Sequence, residues 1–466
     1  MSFYESDRPR RKSAAIVVVL VLVVAGLAAG AWYLRPRFES DPPQIALRPD
    51  ADTVGNGPIE ISIADKGTGL KSFEVKLGEA TIASEQFAQP TAEKTLSVVV
   101  SKLPGVKEGP ATLRVVARDA SLFKGNEGVL QKQITIDLTP PTINLVADDR
   151  YVNFGGVGAL VYQASPDTVA SGVRIGNHFF PGSPGVIKDH PDRFFVLFSH
   201  AYDVPRDAKA VLVATDKAGN LREMPVVYEL KDFKYRKSTL TLSDSFLQGK
   251  VVPLVADAAA RQGPPKDVFI AVNKKLRKEN DDKIAAITRK SSPSILWKGA
   301  FVQLSNSKVE ANFADLRTYV YNGEQIDTAY HLGYDLSVTK NYPIEAANSG
   351  VVAFAGDLGI YGNCVILDHG VGLFTLYGHL SQIGVKVGDK VEQRQVLGKS
   401  GETGLAAGDH LHYGVYLHGV AILPVEWWDA KWIEDNITPK VAGMSGDAIH
   451  EAQQPARASR TGKRRR

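Results

Sequence analysis

The sequence predicts a mostly β chain: two β-sandwiches, a short helical connector and a C-terminal, mainly antiparallel β domain, preceded by one transmembrane helix. Three observations predict it. An uncharged apolar run extends from Ala14 to Leu34, short alternating strands with a repeat of about one hundred residues fill 41–230, and strands separated by Gly-rich turns fill 295–432. In that last stretch, six of the ten histidines fall between His331 and His418, a concentration that points to chemistry there.

The N-terminal residues 1–13 are basic, with Arg8, Arg10, Arg11 and Lys12. The run 14–34 has the roughly 20-residue length that spans a bilayer as a helix. Basic residues before it predict a cytoplasmic N-terminus, and Trp32 with Tyr33 would sit at the far interface. The bulk of the chain would then lie in the periplasm, tethered to the inner membrane by a single helix. A cleaved signal peptide is the competing reading, since Ala29-Gly30-Ala31 resembles a cleavage site. The run is, however, longer than the usual ~7–15 residues of a signal core. A net charge of +4 over 466 residues argues against a nucleic-acid-binding specialist. Cys364 is the only cysteine, so no internal disulfide forms, and it reads as a small buried residue of a strand.

Residues 41–138 and 139–230 read as successive sandwiches. Asp41-Pro42-Pro43-Gln44-Ile45 returns as Thr139-Pro140-Pro141-Thr142-Ile143, 98 positions later, and Asp119 returns as Asp216, 97 positions later. That period suits an immunoglobulin-sized sandwich. The phrases Leu138-Thr139-Pro140-Pro141 and Thr215-Asp216-Lys217-Ala218-Gly219-Asn220 resemble those of bacterial Ig-like domains. Such modules imply spacers or surfaces for envelope protein partners. They hold no catalytic cluster, and His178, His190 and His200 read as loop or surface residues. Residues 231–294 form the connector: Pro264-Pro265 suits a helix start, and Asp281 to Arg289 carries a charged helical face. After the 295–432 domain, residues 443–466 are polar and basic and read as a disordered tail.

His410 and His412 lie two apart and His331 and Asp335 four apart. On a strand, residues i and i+2 share a face, so two imidazoles can converge on one ion. Tyr413, Val415 and Tyr416 suit that strand, and Gly408 and Asp409 suit a turn before it. Neutral imidazole and carboxylate are zinc ligands, and three of them leave a position for water, whose pKa falls to about 7.

His331-Leu332-Gly333-Tyr334-Asp335, Tyr377-Gly378-His379-Leu380, Gly401-Glu402-Thr403-Gly404 and His410-Leu411-His412-Tyr413 together resemble the lysostaphin/LytM-type zinc endopeptidases that cut peptidoglycan. The likeness covers about 295–432. It implies zinc bound by His331, Asp335 and His412, with His379 and His410 as metal-free catalytic histidines whose division of labour stays open. A closed site with His410 as fourth ligand is the alternative. His369 and His418 have no role in the pattern, while Arg317 and Asn363 match positions near the groove. Asp409 and Gly414 depart from the usual proline and glutamate. The resemblance implies a zinc metalloendopeptidase acting on peptidoglycan stem peptides. The alternative is a non-catalytic envelope regulator that binds and activates other wall hydrolases. Whether the connector covers the groove, and whether the bond cut is a direct cross-link to a diamino acid or a glycine-rich bridge, stay open.

Overall fold

The computed structural model describes residues 10–34, 38–122, 125–187 and 189–453. The chain divides into two compact units, 1–140 with 215–221, and 141–214 with 222–466. In the first, the strands Gln44–Arg48, Pro58–Ala64 and Glu93–Val99 make one sheet, and five strands centred on Gly109–Asp119 make another. Pro58–Ala64 alternates in burial, so Ile59, Ile61 and Ile63 point one way and meet Val75, Leu113 and Val115 of the second sheet in one core. The period-2 pattern thus becomes two layers over a shared apolar interior.

Arg10–Leu34 forms a single helix, and the described side chains from Ile16 to Trp32 are almost all exposed. Among the described residues no helix is long and apolar enough to cross a membrane, so the structure lends no support to the transmembrane reading of 14–34. The basic residues before Arg10 lie outside the described residues.

In the second unit, Val157–Ala164 pairs antiparallel with both Arg193–Ser199 and Ile143–Ala147. The C-terminal domain is organised by a sheet in which Tyr334–Ser337, His410–Leu417, Leu373–Leu380, Asn363–Gly370 and Gly350–Asp357 lie side by side in that order, all antiparallel. Leu373–Leu380 is buried at every position, which explains a run with no polar alternation. Cys364 is fully buried in Asn363–Gly370, as expected.

These two β regions share one core. Leu423 N–H donates to the Gly155 carbonyl, the Tyr202 ring stacks edge-on against Phe313 and Tyr330, and the buried Lys440 ammonium pairs with Asp149. Glu426 reaches into this seam, where it accepts from Asn153 Nδ2 at 2.7 Å and from Val157 N at 2.8 Å. A Cβ on Gly156 would lie 2.2 Å from Glu426 Oε1, so glycine makes room for the carboxyl.

Three expectations are corrected. The connector is not purely helical: its Lys237–Thr241 strand pairs in parallel with Asp315–Tyr321, before the helices Pro265–Ala271 and Arg277–Thr288. His200 is not a surface residue; it is 1% exposed, held between Tyr228 Oη and the Pro205 carbonyl. The tail is not disordered from 443: Gly446–Gln453 is a helix whose Ile449 is buried, and Arg193 Nη1 donates to the Gly443 carbonyl. The basic residues from 454 onward lie outside the described residues.

Burial pushes the Glu426 carboxyl up to about 8, against the hydrogen bonds from Asn153 and Val157 and with the help of Asp149. Between its ordinary value near 4.5 and that value, the folded protein keeps a proton that the unfolded chain releases. Stability from this group is therefore full at low pH and declines as pH rises through the window. Relative to Glu426→Gln, the wild type is expected to lose up to about 1.4 kcal/mol per pH unit between pH 5 and 8 in denaturant titrations. A pH-independent difference would show that the carboxyl is ionised throughout.

Candidate functional site

The register of two neighbouring strands builds the centre. Tyr334–Ser337 and His410–Leu417 pair so that Asp335 lies opposite His412, and His331 ends the preceding strand Glu324–His331. His331 Nε2 is 2.9 Å from Asp335 Oδ1 and 3.0 Å from His412 Nδ1, and the last pair is 3.1 Å apart. Gly333 is required for this approach: a Cβ there would lie 2.7 Å from His412 Nε2 and 2.6 Å from the Tyr413 carbonyl.

These three residues form a group able to hold a metal ion. Zinc bonds of about 2.0–2.1 Å in a tetrahedron set ligand atoms roughly 3.3 Å apart, close to the triangle found here. The donor chemistry fits as well. His331 Nδ1 donates to the Asn312 carbonyl at 3.0 Å, which leaves its Nε2 lone pair facing Asp335 and His412. Burial lowers His412 to about 4, so its ring is neutral near pH 7. Burial opposes ionisation of Asp335, but the neighbouring histidines, His331 first, hold it well below the usual carboxylate range.

His379 and His410 stand beside this triangle, their rings 4.8 Å apart. His379 Nδ1 donates to the Thr403 carbonyl and His410 Nδ1 to the Gly408 carbonyl, both at 2.8 Å. Both rings therefore keep Nε2 as the unbound nitrogen, and His410 Nε2 lies 3.5 Å from Asp335 Oδ1. His379 sits at φ +63°, an uncommon conformation for a residue other than glycine. Burial, then the neighbouring His410 and His412, hold it well below the ordinary imidazole range, so it is neutral. For His410, burial is outweighed by Asp335 and its value rises. His369 is elsewhere, bonded to the Ser349 carbonyl and Thr375 Oγ1, and Asn363 does not line the cavity.

The five residues line a cavity of about 300 Å³ with Leu242, Phe246 and Phe269 of the connector among its walls. Lys250 Nζ joins the connector to the rim through the Glu402 carbonyl and carboxylate, at 2.9 and 3.1 Å. Gly414 has a packing reason, since a Cβ there would be 2.9 Å from the Tyr416 ring. Asp409 Oδ2 accepts from Asn341 N.

Residues 329–424 match the model of peptidase family M23. The chain carries an M23 peptidase domain. A DD-carboxypeptidase/endopeptidase, Mpg, of Neisseria meningitidis is 39% identical over 95 residues, 20% of this chain and 22% of that protein. The peptidoglycan DD-endopeptidase ShyA of Vibrio cholerae is 35% identical over 115 residues, 25% and 26% of the two chains. The M23 domain therefore aligns with about a quarter of the length of these relatives. A solved putative peptidase M23 from Pseudomonas aeruginosa aligns at 20% identity and TM-score 0.38, over 59% of this chain and 94% of that one.

The sequence places Arg317 near the groove and gives Asp315 no role of its own. Arg317 Nη2 donates to Asp335 Oδ2 at 2.8 Å, which leaves Oδ1 to the histidines. The available signal was the Asp-x-Arg alternation on a strand, which puts both on one face. Carbonyl partners at Asn312, Thr403 and Gly408 carry no side-chain signal. Arg317→Gln is expected to weaken zinc affinity about 10–100-fold, with partial recovery in Arg317→Lys and an unchanged circular dichroism spectrum. Competition against a chromophoric chelator measures this, and equal affinity in all three proteins would mean Asp335 is held without Arg317.

Proposed function

We propose that this protein is a membrane-anchored zinc metalloendopeptidase that hydrolyses peptide cross-links in peptidoglycan. The single observation that carries the reading is the triangle of His331, Asp335 and His412 with His379 and His410 beside it, each fixed through Nδ1 by a backbone carbonyl. His331, Asp335 and His412 would hold zinc. Bound there, the ion supplies Lewis acidity and a water acidic enough to be a nucleophile near neutral pH. The relatives named as peptidoglycan endopeptidases support the substrate class, and the apolar run 14–34 supports an inner-membrane anchor with the rest of the chain in the periplasm.

The protein's own groups have definite tasks. Neutral His379, fixed by the Thr403 carbonyl, offers a lone pair to a proton in the cavity. His410, fixed by the Gly408 carbonyl, is placed to donate to developing negative charge or to the departing nitrogen. Connector side chains Leu242, Phe246 and Phe269 exclude water from one wall and strengthen these interactions. The alternative, a regulator that activates other wall hydrolases without cutting, has no use for a complete set of five such residues.

Full-length protein in detergent, incubated with cross-linked peptidoglycan, is expected to release new free amino groups. His410→Ala should slow this by about 10²–10⁴-fold. Equal release by the two proteins would end the enzyme reading.

A further inference from the structure

One loop carries the two histidines that stand beside the triangle. The stretch 401–410 is closed at its ends by an antiparallel bridge between Gly401 and His410, with His410 N donating to the Gly401 carbonyl at 3.1 Å. Between those ends it supplies both carbonyls that fix the imidazoles, Thr403 for His379 Nδ1 and Gly408 for His410 Nδ1. The position of this loop therefore decides how both rings are turned.

The first half of the loop is held from two directions. Thr403 Oγ1 donates to the Leu380 carbonyl at 2.9 Å and accepts from Asn363 N at 3.0 Å. Gly362, at φ +61°, leaves room for that hydroxyl, since a Cβ there would lie 2.3 Å from Oγ1. One residue earlier, the Glu402 carbonyl and carboxylate both accept from Lys250 Nζ, at 2.9 and 3.1 Å. Lys250 belongs to the connector, in the helical turn Leu247–Val251, whose two end residues are buried. Its side chain thus starts from an anchored backbone and is itself only 26% exposed.

A pair of an ammonium and an exposed carboxylate contributes little by itself, because solvent screens it and ordering two side chains costs entropy. The contact with the carbonyl has a larger consequence, being a charge-assisted hydrogen bond to the peptide group that joins Glu402 to Thr403. With that peptide held on one side and the Thr403 hydroxyl on the other, the Thr403 carbonyl is aimed at His379. Such restraint is needed there: at φ +63°, His379 occupies a conformation that persists only where its surroundings impose it.

We propose that Lys250 is a positioning residue for the peptidase reaction: through the Glu402 carbonyl it holds the loop so that Thr403 keeps the Nδ1 proton of His379 and fixes the tautomer and orientation of that ring. The inference rests on the peptidase reading and adds a requirement from outside the M23 match of 329–424. The connector thus completes the site as well as walling it.

Full-length, zinc-loaded protein in detergent is compared as wild type, Lys250→Met, Lys250→Arg and Lys266→Met. Lys266 is the control because its Nζ ties the same connector to Glu324, at 2.8 and 2.9 Å, rather than to the loop. On a soluble cross-linked stem-peptide dimer, Lys250→Met is expected to lower kcat about tenfold with KM changed less than about twofold. Lys250→Arg should recover most of the loss, and Lys266→Met should match the wild type. Magnetic resonance of protein labelled with nitrogen-15 in histidine reads the ring directly, the His379 signals being assigned by their loss in His379→Ala. They should report a proton resident on Nδ1 in the wild type and in Lys250→Arg, and mixed occupancy of Nδ1 and Nε2 in Lys250→Met. An unchanged kcat or an unchanged His379 signal in Lys250→Met, or an equal loss in Lys266→Met, would overturn the proposal. So would a higher kcat in Lys250→Met, which would mean that the contact shuts the cavity. If no protein cuts the dimer or peptidoglycan while the His379 signal still depends on Lys250, the coupling stands and the peptidase reading alone fails.

Discussion

One strand register governs the site: Asp335 opposite His412 on adjacent antiparallel strands. Backbone hydrogen bonds hold the two chains at fixed spacing, so a carboxylate and an imidazole meet without needing long flexible side chains. A slip by one residue would send His412 to the other face and separate the ligand atoms. His331 completes the triangle from the end of the neighbouring strand, and Gly333 leaves the space in which its ring and that of His412 approach. Each remaining feature of the site serves to orient or desolvate these groups.

Packing so many polar side chains together is unfavourable unless each nitrogen and oxygen has a partner. The protein answers with backbone carbonyls at Asn312, Thr403 and Gly408, each taking the Nδ1 proton of one histidine. Arg317 takes the second oxygen of Asp335 and stands near Asp315, so one guanidinium serves two buried carboxylates. Among the described residues lining the cavity, His412 Nε2 and Asp315 Oδ1 are buried atoms left without partners. Both belong to residues lining the cavity, where function tolerates what an ordinary core would not.

The surrounding architecture makes this rigid. The 143–199 sheet does not hang apart from the M23 domain; it shares a core with it and receives Glu426 and Lys440 in a buried polar seam. The connector closes another side, pairing one strand with Asp315–Tyr321 and setting Asn280 Oδ1 against Ile360 N at 2.9 Å. The segment read as a helical connector is thus part of the wall of the site.

His410 with His412 and His331 with Asp335 were legible because short-range rules act on them: strand periodicity brings i and i+2 to one face, and metal-ligating side chains are few in kind; His379 was legible only through the family resemblance. The alternating strands and the buried Cys364 were legible for the same reason, since burial and period are local properties of a sequence. Asp315, His200, Glu426 and Ile449 were not, and Arg317 was placed near the groove without its partner Asp335. Whether a charged or apolar side chain is solvated or buried depends on which distant segment lies against it, as Asn153 and Val157 lie against Glu426 from some 270 positions away. The sequence by itself determined the chemistry available and the local pairing of its donors; only the tertiary structure decided which groups share a cavity, because long-range contacts are selected by the packing of whole sheets.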